Sequence, residues 1–149
     1  MCGFRFGYAV GNEDLIREMK EFKICTTISA PTFAQLAAVE ALKNSSEYTK
    51  KMLKEYDRRR KMIVKRINEI PGLNCLNPKG AFYAFPNIKS LKMSSSQIAD
   101  FLLKKAKVAV IPGNEFGKYG EGYIRLSYAT SYEKITKAMQ RIENSLRKL

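Results

Sequence analysis

The sequence predicts a mixed α/β fold whose strands are too scattered for a self-contained doubly wound sheet. Apolar residues alternate with other residues over 4–10 and again over 123–128, a pattern typical of half-buried strands. The last segment instead carries apolar residues at helical intervals, namely Ile135, Met139, Ile142, Leu146 and Leu149. A chain of 149 residues is long enough to bury a hydrophobic core around such elements.

The first part of the chain predicts one strand and two helices. The strand covers 4–10 and places Arg5 on a face that it shares with small residues. Asn12 is positioned to cap the first helix. The buried stripe of that helix would consist of Leu15, Ile16, Met19 and Phe22. Pro31 stands where a second helix would begin, and the alanine-rich segment 32–43 would form it.

A long basic helix is predicted over 46–70, where Pro71 and Gly72 would end it. Its densest positive run is 58–61. Apolar residues recur at helical spacing through the same stretch, at Leu53, Tyr56, Ile63, Ile67 and Ile70. This pattern favours a helix whose charged faces are solvated, and binding of the basic run to nucleic acid is the alternative.

The remainder of the chain predicts short strands that alternate with helices. In chain order we expect a strand and turn over 73–80, a strand over 81–85, a helix capped within 94–96, a strand over 108–111, a strand over 123–128 and the last helix. The loop 113–122 contains several glycines but has neither nucleotide-binding glycine motif, so we do not expect it to cradle phosphate by itself.

Composition excludes several classes of function. Lys and Arg number 27 against 14 Asp and Glu, which gives a net charge of +13, and the chain contains no histidine. Catalysis by a Ser–His or Cys–His pair is therefore excluded. The sequence has no apolar run long enough for a transmembrane helix. The cysteines Cys2, Cys25 and Cys75 are too scattered for a disulfide framework or a zinc cluster, so we expect no metal site and a reduced, cytoplasmic setting.

Two arginines lie within predicted strands and require an explanation, because a buried guanidinium must be paired. Arg5 is flanked by small residues on its strand face, which leaves room for an anion. Arg125 lies on the strand face opposite Ile124 and Leu126, directly after the glycine-bearing loop. Arginine offers a planar fork that matches phosphate or carboxylate. An internal ion pair or a solvent-facing side chain is the alternative at each position.

Five motifs occur in a fixed order and span nearly the whole chain. They are Met1-Cys2-Gly3-Phe4-Arg5-Phe6-Gly7-Tyr8, Ala30-Pro31-Thr32-Phe33-Ala34-Gln35, Pro78-Lys79-Gly80-Ala81-Phe82-Tyr83-Ala84-Phe85-Pro86, Pro112-Gly113-Asn114-Glu115-Phe116-Gly117 and Gly122-Tyr123-Ile124-Arg125-Leu126-Ser127-Tyr128-Ala129. Together they resemble the C-terminal part of a class I aminotransferase, a pyridoxal 5'-phosphate-dependent enzyme of fold type I. The archaeal-type aspartate or broad-specificity members are the most similar.

The resemblance implies an α/β fold that combines the tail of a large domain with a small domain whose short sheet is packed by helices. Residues 1–45 would be the remainder of the large cofactor-binding domain. Residues 46–70 would form a long connecting helix, and residues 71–149 would form the small C-terminal domain.

The same resemblance implies roles for individual residues. Arg5 would bind the phosphate of pyridoxal 5'-phosphate, and Arg125 would bind the α-carboxylate of the substrate. Tyr83 and Phe82 would either border the substrate pocket or pack in the core.

In the family, the lysine that forms a Schiff base with the cofactor belongs to a Ser-Lys pair upstream of the first matched motif. No lysine of this chain follows a serine, so we assign no catalytic residue and expect the isolated chain to be inactive. The parent enzyme would be a homodimer that exchanges an amino group between an amino acid, aspartate or aromatic, and a 2-oxo acid. A free-standing nucleic-acid-binding module and a non-catalytic partner domain are the alternatives.

Overall fold

The structure is a computed structural model that describes residues 2–149. The chain divides into two compact units, one ending at Lys51 and the other beginning at Met52. Within the described residues the α-helices are α1 (Glu13–Thr27), α2 (Thr32–Asn44), α3 (Ser46–Asn68), α4 (Ser95–Phe101) and α5 (Tyr132–Leu146), and the strands are β1 (Tyr83–Ala84), β2 (Ile111–Pro112) and β3 (Ile124–Ser127). None of the described helices has both the length and the apolar composition required to span a membrane.

The strand predicted over 4–10 is wrong. A short 3-10 turn, Cys2–Phe4, opens the chain, and residues 6–12 have no regular secondary structure. Arg5 joins these segments with a φ of +50°, a left-handed conformation that no strand contains. A strand requires a neighbour to complete its backbone hydrogen bonds, and no β-ladder forms among the described residues of the first unit.

Helix α1 begins where the sequence predicts, but its apolar stripe is not buried. The Asn12 side-chain oxygen accepts hydrogen bonds from the backbone N–H groups of Asp14 and Leu15, at 2.9 and 3.4 Å. No residue of α1 is buried, and Phe22 is 72% exposed. The expected burial of this stripe is therefore wrong for the first unit, which is too small to cover it.

Helices α2 and α3 lie close to the predicted ranges. Ala34 and Ala38 are buried in α2. In α3, Ile63 and Ile67 are buried as predicted, whereas Leu53 is 68% exposed. Within the second unit, Tyr56 is the first residue of α3 that packs against the core, so the stripe is buried in the C-terminal part of the helix alone.

The second unit is organised around a three-stranded antiparallel sheet in the order β1-β3-β2. Tyr83 pairs with Ser127 in β1–β3, and Ile111 pairs with Arg125 in β2–β3. The strands are shorter than the alternating patterns predict. The hydrophobic core comprises Ile63, Ile67, Ile70, Leu73, Cys75, Ala84, Ile88, Ile98, Leu102, Ala106, Ile124, Leu126, Tyr128, Ile135, Met139, Ile142 and Leu146. The predicted stripe of α5 is thus buried, except for Leu149.

Helix α4 begins with a capping box at Ser94. The Ser94 hydroxyl accepts a hydrogen bond from the backbone N–H of Gln97, and the Gln97 side chain accepts one from the backbone N–H of Ser94. The helix continues as a π-helical segment, Leu102–Ala106, which ends at Lys107 with a φ of +55°.

Candidate functional site

Arg125 lies in the middle of β3, the central strand of the sheet. Its neighbours Ile124 and Leu126 are 1% and 7% exposed and point into the core. Arg125 is half-buried on the opposite face, as the alternating sequence predicts. The pairing of β3 with β1 and β2 on both sides fixes the backbone from which this side chain projects.

The guanidinium of Arg125 is held between two aromatic rings. Its central carbon lies 4.4 Å from the centre of the Tyr83 ring and 4.5 Å from the centre of the Phe116 ring. Both contacts are cation–π interactions, which suit a flat guanidinium better than an ammonium group. The two ring contacts therefore restrict the position of the guanidinium.

No carboxylate in residues 2–149 forms an ion pair with Arg125, and no oxygen there accepts a hydrogen bond from its side chain. The internal ion pair that the sequence left open is thus not formed within the described chain. A guanidinium has five N–H donors, and two of them can bind both oxygens of one carboxylate. The arrangement is suited to an incoming carboxylate.

The aromatic surface extends beyond Arg125. Phe85 packs edge-on against Phe116 with ring centres 5.8 Å apart, and stacks on Tyr123 at 5.3 Å. A groove of about 470 Å³ lies along this surface, with Tyr83, Phe85 and Tyr123 in its wall. Tyr83 therefore contacts both the groove and the guanidinium of Arg125, and aromatic walls of this kind are typical of sites for small organic molecules.

The structure gives Phe82 and Tyr83 different surroundings, which the sequence did not predict. Phe82 packs against Tyr56 at 6.1 Å between ring centres and is part of the core margin. Tyr83 contacts the Arg125 guanidinium. Sequence reasoning missed Phe116, because it considered the loop 113–122 for phosphate binding alone.

Two glycines allow this loop to fold tightly before β3. The backbones of Gly113 and Gly120 approach so closely that a Cβ on either one would overlap the carbonyl oxygen of the other. The Gly113 N–H also donates to the Tyr123 carbonyl oxygen at 2.8 Å. The 3-10 segment Gly113–Phe116 thereby carries Phe116 to the guanidinium of Arg125.

Ser95 anchors the other end of the loop and was expected merely as a cap candidate. Its hydroxyl is fully buried and accepts hydrogen bonds from the backbone N–H groups of Gly122 and Tyr123, at 2.9 and 3.3 Å. Its own backbone N–H donates to the Glu121 carboxylate at 2.8 Å. Helix α4 thus positions the residues that enter β3.

We expect Ser95→Ala to lower the free energy of unfolding by about 2 kcal/mol, because it leaves the buried backbone N–H of Gly122 without an acceptor. Ser96→Ala is the matched control, since Ser96 is exposed and its change should cost less than about 0.5 kcal/mol. Urea denaturation of the 149-residue chain measures both. Equal midpoints for the two variants would contradict this role of Ser95.

Arg5 lies in the first unit, exposed and in a left-handed backbone conformation. A Cβ added at Gly3 or at Gly7 would meet nothing within 4 Å, so crowding does not require glycine at either position. The exposed Arg5 side chain lies in a turn and not in a strand, and its binding of an anion stays a prediction. Arg5 belongs to the first unit and Arg125 to the second.

The basic run of α3 is paired with acids of the same helix. Arg58 and Arg59 both bind Glu55, at 2.9 and 2.8 Å, and Lys61 binds Asp57 at 2.7 Å. Arg60 also binds Asp57. Hydrogen bonds from Arg58 and Arg59 lower the pKa of Glu55 to about 2, and those from Lys61 and Arg60 lower the pKa of Asp57. This pairing does not favour the nucleic-acid alternative.

No group of histidine, cysteine or carboxylate side chains in the described part of the chain is arranged to hold a metal ion. Among the cysteines, Cys25 is exposed and Cys75 is buried, and both are free thiols. Burial raises the pKa of the Cys75 thiol, which lowers its reactivity.

Comparison with known proteins identifies similar sequences along nearly the whole chain. A family model described as aminotransferase class I and II matches residues 1–142. An aspartate aminotransferase of Pyrococcus horikoshii is 46% identical over 148 residues, and an aromatic-amino-acid aminotransferase of Thermococcus litoralis is 43% identical over 149 residues. These alignments cover 98% and 99% of this chain, but 38% of each relative.

Solved structures agree with the sequence comparison. The crystal structure of an aromatic aminotransferase from Pyrococcus horikoshii superimposes with a TM-score of 0.93 at 46% identity, over 99% of this chain and 40% of the other. The fold predicted from the sequence is thereby confirmed. The chain spans about two fifths of the length of the relatives it matches.

Proposed function

We propose that this chain, which belongs to the aminotransferase class I and II family, is the C-terminal part of a pyridoxal 5'-phosphate-dependent aminotransferase. The whole enzyme would move an amino group between an amino acid, aspartate or aromatic, and a 2-oxo acid. The observation that supports this proposal most directly is Arg125, a guanidinium held between two rings and without an acidic partner in the described residues.

In this proposal Arg125 binds the α-carboxylate that every amino acid and every 2-oxo acid of this reaction carries. Two parallel hydrogen bonds would orient the substrate as well as bind it. Contacts with the Tyr83 and Phe116 rings, at 4.4 and 4.5 Å from the guanidinium carbon, would restrict its movement. The adjoining groove, with its aromatic wall, would accept part of the substrate side chain.

Arg5 would bind the phosphate group of the cofactor. A permanently charged, exposed guanidinium fits a phosphate. The left-handed backbone of Arg5 costs about 1 kcal/mol, strain of a kind that is common at functional sites. Pyridoxal 5'-phosphate, when bound, supplies the electron sink for the reaction. The sequence contains no Ser-Lys pair, so we assign no covalent anchor to the 149 residues.

We propose the remaining features of the parent enzyme on the same family grounds. Residues 1–45 would complete the large domain, 46–70 would connect it to the small domain, and 71–149 would form the small domain. Two subunits would associate as a homodimer. The enzyme would bind small-molecule substrates and would bind neither nucleic acid nor a membrane. The free thiols of Cys25 and Cys75 are in keeping with a cytoplasmic location.

The proposed activity can be tested with a chimera in which residues 1–149 replace the matching 38% of the Pyrococcus horikoshii aspartate aminotransferase. We expect the chimera to take up pyridoxal 5'-phosphate, seen by its absorbance, and to transfer an amino group from an amino acid to a 2-oxo acid. The 149-residue chain alone, as the control, should show no transfer. A folded chimera that binds the cofactor but transfers no amino group would contradict the proposal.

A further inference from the structure

A second cavity, of about 540 Å³, lies in the second unit between the π-helical segment that follows α4 and the C-terminal part of α5. Its lining includes four basic side chains, Lys105, Lys107, Arg141 and Lys148, and contains no acidic residue. This cavity shares no residue with the groove beside Arg125.

The sequence order on α5 explains how one side of the cavity becomes basic. Arg141 and Ser145 are four residues apart on α5, so they lie on one face of the helix, and Lys148 follows two residues after the helix ends. The buried residues of α5, including Ile142 and Leu146, lie on another face. The helix thus presents a polar, positively charged stripe to the cavity.

The π-helical segment supplies the other side. Lys105 lies within this segment, and Lys107 ends it in a left-handed conformation. Interruptions of this kind in an α-helix occur frequently at functional sites. Phe101, on the preceding turn, adds an aromatic side chain to the lining.

These four cations differ from their neighbours in having no acidic partner within the described residues. Lys104, next to Lys105, binds Asp100 at 2.7 Å, and Arg147, next to Lys148, binds Glu143 at 2.8 Å. The helix dipole favours a cation such as Lys148 at the end of α5. It does not explain Arg141, which lies two turns earlier on the same cavity.

We propose that this cavity binds a diphosphate group, either free or attached to a small organic molecule. One phosphate carries about two negative charges at neutral pH, which is too few for four cations. A diphosphate matches the four positive charges more closely, and lysine and arginine both donate charge-assisted hydrogen bonds to phosphate oxygens. The volume suits a small molecule, and Phe101 provides a surface for its organic part. The inference uses neither Arg5 nor Arg125 and does not depend on the proposed function.

Titration calorimetry of the 149-residue chain with pyrophosphate at low salt tests the inference. We expect saturable binding, which K105Q/K148Q weakens about tenfold, because each lysine contributes a charge-assisted hydrogen bond. K134Q/K137Q is the matched control. It also removes two positive charges, but from α5 residues outside the cavity, and should leave the affinity for pyrophosphate unchanged.

Comparison of pyrophosphate with adenosine 5'-diphosphate distinguishes the two sources of the diphosphate group. Tighter binding of the nucleotide indicates an organic ligand that contacts Phe101, and equal binding indicates the inorganic anion. Two results would overturn the inference: an absence of saturable binding by the folded chain, or equal weakening in both double variants, which would mean that overall charge alone attracts the anion.

Discussion

Replacing Arg125 by lysine in the chimera is expected to raise KM for the amino acid about 10- to 100-fold. Lysine keeps the positive charge but loses the planar fork, so it cannot form two parallel hydrogen bonds to a carboxylate. It also loses the flat stacking between Tyr83 and Phe116 that fixes the fork. Every amino acid should be affected, because all of them carry the same α-carboxylate.

Steady-state kinetics with an aspartate and an aromatic substrate measure this effect. Arg147→Lys is the matched control, since Arg147 is exposed and its ion pair with Glu143 contributes little; its KM should change less than about twofold. Should Arg125→Lys raise KM for one substrate alone, Arg125 would contact that substrate's side chain instead of the carboxylate. An unchanged KM for both would remove the assigned role.

The helices could be predicted well from the sequence because their signals are local. Asn12 and Ser94 cap α1 and α4 through hydrogen bonds to backbone groups two or three residues away, so the residue type and its position suffice. The periodicity of α5 likewise identifies its buried face. Neither inference requires knowledge of what lies elsewhere in the chain.

The predictions of a strand over 4–10 and of a buried stripe on α1 were wrong because both depend on contacts with other segments of the chain. Alternation predicts which residues of a strand share a face, but a strand exists only where a second segment pairs with it. An apolar helical stripe likewise predicts a face to be covered, not the element that covers it. Phe22 has no such cover within the first unit.

The candidate site has one feature that a local pattern predicts and others that depend on distant parts of the chain. Alternation within β3 predicts that Arg125 lies on the strand face opposite the core, and the structure agrees. Its two rings come from separate places in the sequence, Tyr83 on β1 and Phe116 in the loop before β3. No spacing rule connects these three residues, because the close approach of Gly113 and Gly120 brings Phe116 to its place.

Gly113→Ala should therefore be among the most destabilising single changes in the second unit. The added Cβ would overlap the carbonyl oxygen of Gly120 and would also lie 2.6 Å from that of Tyr123, so backbone must move. We expect a loss of about 3 kcal/mol in the free energy of unfolding, which corresponds to a decrease in Tm of about 6–12 °C. The hydrogen bond from Gly113 to Tyr123 would be strained as well.

Gly80→Ala is the matched control, because a Cβ at Gly80 meets nothing within 4 Å; it should change the stability by less than about 0.5 kcal/mol. Thermal and urea denaturation of the two variants measure the difference. In the chimera, the displaced loop should also withdraw Phe116 from Arg125, so that KM for the amino acid rises along with the loss of stability. A Gly113→Ala protein as stable as the Gly80→Ala protein would show that the contact between Gly113 and Gly120 does not hold the loop.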